Sequence, residues 1–123
     1  MPLFLLEVHL ALLSEQAQKL IAVQRRRYIE SMPEKRKAIG QCMAQVSAAV
    51  RDGEPNLCDK LFQQVHRLAG SAGSYGFESL GQAASVVDRY LIANPLQVAD
   101  LPELSSMLQN LLDEIDDIIR SSR

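Results

Sequence analysis

The chain has no tryptophan and few other aromatics, three tyrosines and three phenylalanines among 123 residues. It therefore lacks the aromatic platforms on which single-stranded nucleic acids stack. It also lacks an excess of positive charge. Thirteen lysines and arginines stand against 15 aspartates and glutamates, a net charge of -2, which excludes a broad phosphate-backbone surface and makes nucleic acid an unexpected partner. Six glycines and five prolines are too few for a collagen-like or low-complexity chain. Two cysteines, Cys42 and Cys58, cannot build a disulfide framework, and their spacing fits no zinc or redox motif. They read as reduced, buried side chains of a cytoplasmic protein. The most apolar stretch, Pro2 to Leu13, is interrupted by Glu7 and His9. It has no basic leading region or small-residue cleavage site, and it is shorter than the roughly 20 apolar residues that span a bilayer. Neither a signal peptide nor a membrane segment is expected.

Helical period fills the chain, and no convincing strand alternation, fixed-period repeat or Pro/Gly-rich linker interrupts it. In the first segment, about Leu3 to Ile29, Leu3, Leu6, Leu10, Leu13, Ala17 and Leu20 step by three and four, a one-sided seam. Ser14 can cap a second helix there, so one long helix and two shorter ones both fit. Arg25-Arg26-Arg27 reads as a solvated helix end near a favourable dipole. The second segment opens on Ser31-Met32-Pro33-Glu34, which reads as a capping box with proline in the first turn. It carries Ile39, Met43, Val46 and Val50 on one face and stops at Asp52-Gly53. A third, about Pro55 to Ser74, has a stripe of Leu57, Leu61, Val65, Leu68 and Ala72, and the chain turns at Gly76. A fourth, about Phe77 to Ala93, places Leu80, Ala84, Val87 and Leu91 inward and ends at Asn94-Pro95. The last starts with the box-like Asp100-Leu101-Pro102-Glu103 and buries Leu104, Leu108, Leu111, Ile115 and Ile118.

These elements predict an all-α fold, an antiparallel up-down four-helix bundle with an additional N-terminal helix, in one domain covering residues 1–123. Residues 1–27 form the helical extension and 28–120 the bundle core. The leading helix is expected to pack against its own bundle, and a monomer is expected rather than a homodimer.

One constellation carries chemistry. His66 lies on the third helix between Val65 and Leu68 of the buried stripe. Asp59, Phe62 and Gln63 precede it on its own face, and Ala69, Gly70 and Gly73 follow at spacings of three, four and seven. The ring thus stands above a patch cleared of side chains. Glycine inside a helix costs roughly 1 kcal/mol relative to alanine, so two glycines on the turns after one histidine call for a compensating reason. Close packing of another helix is one. Approach of a second protein's active site is the other. A neutral imidazole offers a nucleophilic nitrogen at cellular pH and can accept and return a phosphoryl group. The sequence has no P-loop, no carboxylate cluster for magnesium and no set of general-base partners around it. That describes a carrier, not an enzyme.

The segment His66-Arg67-Leu68-Ala69-Gly70-Ser71-Ala72, followed by Gly76, resembles the histidine-containing phosphotransfer (HPt) domain of phosphorelays. That family's motif runs roughly His-x-Leu-Lys-Gly-Ser/Ala-Ser/Ala. Tyr28-Ile29 with Pro33-Glu34 is similar to the family's pattern before its second helix, and Asp88 falls where the family often has an acidic residue. The resemblance covers about Tyr28 to Arg120. It implies a four-helix bundle with an exposed histidine, and His66 as phospho-acceptor, through Nε2. It implies exchange with the aspartates of response-regulator receiver domains, downstream of a hybrid sensor kinase. It implies no cofactor or metal on this chain, because the receiver brings Mg²⁺. Gly70 leaves room for the receiver, and Gln63 and Arg67 flank the ring. Where the family usually has lysine this chain has Ala69. Arg67, about 100° around the helix, replaces that cation imperfectly. Lys60 lies at the edge of reach, and Arg89 on the next helix is a further candidate.

Two other functions fit the same sequence. An HPt-like adaptor or inhibitor would bind a receiver or kinase without accepting phosphate, as Ala69 in place of lysine suggests. A helical dimerisation module would work through the leading seam. His9 reads as a packing or interface residue without a second metal ligand. Met32, Met43 and Met107 read as core or edge fillers, and Ser71 and Ser74 support no triad.

Overall fold

The computed structural model describes residues 3–54, 59–93 and 95–122, apart from the side chains of Leu10 and Leu13. It contains five α-helices: α1 (Leu3–Glu30), α2 (Met32–Asp52), α3 (Asp59–Ser71), α4 (Glu78–Ala93) and α5 (Leu101–Ser121). Short 3₁₀ turns follow α3 (Ala72–Tyr75) and precede α5 (Val98–Asp100). No strand occurs among the described residues. Leu57 and Cys58, Asn94, and the expected start of the third segment at Pro55 fall outside the described residues.

Apolar residues at helical spacing decide which faces meet. Ile39 and Val46 of α2, Leu61, Val65 and Leu68 of α3, Leu80, Ala84 and Val87 of α4, and Leu104, Leu108, Leu111 and Ile115 of α5 are all buried. Among the described residues no polar or charged side chain is buried with them. Each fully buried leucine contributes about 1.5–3 kcal/mol relative to exposure. Packing closes in a ring: α2 on α3, α3 on α4, α4 on α5 and α5 back on α2. That is a four-helix bundle, with sequence neighbours joined by short connections. Leu91 and Ile118, expected inside, are half-buried against its edge.

Glycine ends two of the helical runs for a stated reason. Gly53 has φ 74° and Gly76 φ 86°, the left-handed region that side-chain-bearing residues avoid. At the first, the Gly53 and Glu54 N–H groups donate to Val50 and Ala49. At the second, Gly76 and Phe77 donate to Gly73 and Ala72. Both are Schellman closures that satisfy otherwise orphaned carbonyls. Gly73 consequently lies in the 3₁₀ turn, just past the α-helix that carries His66.

One open alternative is settled: the first segment is one continuous helix, and Ser14 caps no second one. Three sequence expectations are corrected. Ser31 forms no capping box: its backbone is helical (φ -81°, ψ -10°). Its hydroxyl turns back to donate to the Tyr28 carbonyl at 2.6 Å and accepts from Lys35 Nζ at 2.5 Å. The box expected at Asp100–Glu103 lies one turn earlier, where the Asp100 carboxylate accepts the Gln97 N–H at 2.9 Å. Most consequentially, α1 does not fold back on the bundle. It meets the rest of the described chain chiefly at α2 and the turn after α3. Leu3, Phe4 and Leu20 remain 77%, 70% and 60% exposed.

The C-terminal end of α1, in contrast, is clamped. Arg25 Nε donates to the Tyr75 carbonyl at 3.0 Å, and its guanidinium lies 4.5 Å from the Phe77 ring centre. Tyr28 stacks on Tyr75 at 4.4 Å, and its hydroxyl shares a hydrogen bond with Ser71 Oγ at 2.9 Å. Arg25 is therefore a docking residue, not part of a merely solvated helix end. The contacts fix the turn that follows α3, and so fix the C-terminal end of the helix that presents His66.

Candidate functional site

Val65 and Leu68 are buried, which rotates the intervening His66 outward: its side chain is 64% exposed. The same rule on α4, where Val87 is buried, leaves Asp88 at the edge of the α3–α4 interface with a side chain only 15% exposed. The two meet. His66 Nδ1 lies 3.2 and 3.3 Å from the two Asp88 carboxylate oxygens. A carboxylate only accepts, so Nδ1 carries the hydrogen and donates, and the lone pair of the neutral ring sits on Nε2. Phe62, one turn earlier, stacks on the imidazole with ring centres 5.4 Å apart and planes inclined at 21°. The ring is thus held on one face and at one nitrogen, while its other nitrogen faces water.

The clearing beyond the ring is open space. A Cβ built on Gly70 or Gly73 meets nothing within 4 Å, so neither glycine makes room for a helix of its own chain. Only Gly81 on α4 has such a neighbour, at 3.6 Å from Ala72 Cβ and Gly73 N. Of the two reasons weighed for the glycines, packing within the chain is removed, and access from outside remains.

The other sequence candidates are distributed around this centre. Gln63 and Arg67 are exposed on α3 next to the histidine. Ala69 is half-buried and packs against the core. It lines a shallow groove of about 300 Å³ with Gly73, Glu78, Gly81, Gln82, Ser85 and Arg89. Arg89 Nε donates to the Ser85 carbonyl at 3.4 Å, which sets this cation in the groove beside Ala69. Lys60 is not brought to the ring. It lies six residues before His66, about 9 Å along the axis, and its charge acts instead on the Cys42 thiol of α2, whose pKa burial pushes up. Among the described residues no cluster of three or more His, Cys, Asp or Glu side chains is placed to hold a metal.

Asp88 as the ring's partner is the functional residue that the sequence reading did not assign. It sits 22 residues from His66, and only the register of α4 against α3 brings it in. Its acidic character at that position was visible, but its hydrogen bond was not.

Chemically, such an arrangement can serve as a nucleophile with an orienting group. A carboxylate on Nδ1 fixes the tautomer and ring plane and offsets positive charge that develops when Nε2 attacks. In the comparison with known proteins, residues 24–120 match the Hpt domain family. No match was found among curated proteins or among solved structures. The family match takes in all four helices of the bundle and the His66–Asp88 pair they bring together, and the chain belongs to the Hpt domain family, the phosphocarrier modules of two-component phosphorelays.

Proposed function

We propose that His66 carries a phosphoryl group between receiver-domain aspartates. The Nε2 lone pair attacks the phosphorus of a receiver phospho-aspartate in line, the P–O bond to that aspartate breaks, and its carboxylate leaves with the electron pair. The Nδ1 hydrogen stays in place, and the positive charge developing on the imidazole lies against Asp88. The reverse step delivers the group to a second receiver. Gly70 and Gly73 admit the receiver, and Gln63, Arg67 and Arg89 are the side chains assigned to meet the added negative charge. The receiver supplies Mg²⁺ and most of the transition-state charge stabilisation, so the chain is a carrier with no cofactor of its own and no autonomous catalytic site. A hybrid sensor kinase upstream, response regulators downstream and a cytoplasmic location complete the reading. No described helix is long and apolar enough to cross a membrane.

The observation that carries the proposal is the exposed ring whose Nδ1 is engaged by Asp88, on a helix whose following turns, at Gly70 and Gly73, are open. One observation favours a second reading, an adaptor or inhibitor that binds a receiver without accepting phosphate: the position three residues after the histidine is a half-buried alanine, not a cation. Incubation with a ³²P-labelled receiver separates the two. Acid-labile, base-stable label on the wild type and none on His66→Gln supports the carrier. Receiver binding without label establishes the adaptor.

A further inference from the structure

α1 carries its first five turns clear of the bundle. Besides Leu3, Phe4 and Leu20, the side chains of Leu6, Ile21 and Val23 on this helix are exposed. Monomers rarely show water a contiguous apolar surface larger than a few hundred Å². The expectation of a monomer rested on this helix folding onto its own bundle, which it does not do.

The spacing defines what fits the helix. Leu3, Leu6, Leu10, Leu13, Ala17 and Leu20 alternate steps of three and four through three heptads, the a and d positions of a two-stranded coiled coil. The positions flanking that seam are Glu7, His9, Ser14, Gln16, Ile21 and Val23. With one formal charge among them, a second identical strand brings no like-charged pair onto the rim. The next a and d positions are Gln24 and Arg27, where the apolar seam ends and the clamp to the bundle begins.

Charge also sets the direction. In a parallel pair Arg27 would face Arg27 across the seam, and the two Arg25–Arg27 triplets would lie side by side. An antiparallel pair sets Leu3 against Leu20 and Leu6 against Ala17. It separates the triplets by roughly 40 Å at 1.5 Å per residue, far beyond the screening length of about 8 Å in physiological salt. A groove of about 740 Å³, lined by Ala22, Arg25, Ile29, Pro33 and Ile119 among others, lies where α1 reaches the bundle. Side chains on a helix lean toward its N-terminal end. In the antiparallel pair, Leu3 and Phe4 of one copy therefore lean past the partner's Leu20 toward the mouth of that groove. The relation is reciprocal, as a twofold axis requires.

We propose that two copies of this chain pair antiparallel through α1, each covering the other's Leu3–Leu20 seam and closing the groove beside Ala22 and Ile29 with its first turn. Sedimentation equilibrium of the full chain tests the pairing. The wild type runs at twice the monomer mass, and Leu6→Glu and Leu20→Glu each run as monomers with unchanged thermal melts, because the bundle does not use these side chains. Leu12→Glu, an apolar exposed residue off the seam, stays dimeric. A monomeric wild type, an assembly larger than a dimer, or loss of the dimer in Leu12→Glu as complete as in Leu6→Glu overturns the proposal. Direction is read in a Cys58→Ser background. Oxidation joins two copies of the Leu3→Cys, Leu20→Cys double variant and leaves Leu20→Cys alone unjoined. Self-joining of Leu20→Cys overturns the antiparallel arrangement.

Discussion

Replacing Asp88 by alanine removes the acceptor that holds the His66 ring. In the folded chain Nδ1 reaches both carboxylate oxygens, at 3.2 and 3.3 Å, from a carboxylate that is largely shielded from water. Without it, both neutral tautomers become accessible and the ring turns more freely against Phe62. Groups that orient a reacting imidazole in this way are worth about tenfold to hundredfold, or about 1.4–2.7 kcal/mol in the barrier. Bundle stability changes little, because one contact to a mostly exposed ring contributes about 0–1 kcal/mol. Rapid-quench measurement with a phosphorylated receiver is expected to show transfer slowed about tenfold to hundredfold, with receiver affinity held within about twofold. Long-range ¹H–¹⁵N spectra of the ring are expected to lose the Nδ1–H signature. Asp88→Asn falls between, since its amide oxygen still accepts. An alanine variant that transfers at the wild-type rate would refute the orienting role.

Gly70→Leu is expected to leave circular dichroism and melting intact or slightly improved, because the added Cβ meets open space and leucine is the better helix former. Transfer is expected to fall at least tenfold as the approach path fills, and normal transfer would remove the account of the clearing. Leu111→Ala, at a fully buried position, is expected to cost about 2–5 kcal/mol in urea unfolding. A loss below 1 kcal/mol, about the cost of a surface change, would contradict the core assignment. Burial raises the Tyr28 phenol above its ordinary pKa, opposed by the hydrogen bond with Ser71. The unfolded chain then loses this proton at lower pH than the folded one. The associated stability is whole below about pH 10 and declines as pH rises past that point through the folded value. Tyr28→Phe is therefore expected to flatten the alkaline decline of the melting temperature, and an unchanged decline would count against that burial.

The bundle was legible because Leu61–Val65–Leu68–Ala72 and Leu104–Leu108–Leu111–Ile115 repeat at helical spacing, and nothing competes with that pattern. His66 was legible because two glycines on the following turns are locally unfavourable and ask for a reason. What escaped the sequence reading depends on three-dimensional register. Asp88 finds His66 only when α4 lies against α3. Arg25 finds Tyr75 and Phe77 only when the turn after α3 reaches the end of α1. Ser31 matched the spacing of a capping box, yet its helical backbone sends the hydroxyl back to Tyr28. An amphipathic pattern shows that α1 has an apolar seam and not which surface covers it, so packing within the chain was a natural expectation and a mistaken one.

The central claim is that His66 accepts phosphate at Nε2 because Asp88 occupies Nδ1. The most direct measurement is heteronuclear NMR of the ¹⁵N-histidine-labelled protein after incubation with a phosphorylated receiver, reading phosphorus coupling to the individual ring nitrogens. The account predicts one phosphohistidine, with phosphorus coupled to His66 Nε2 and the hydrogen retained on Nδ1. Coupling to Nδ1, or an unmodified His66 beside a receiver that has bound and stayed phosphorylated, would contradict it.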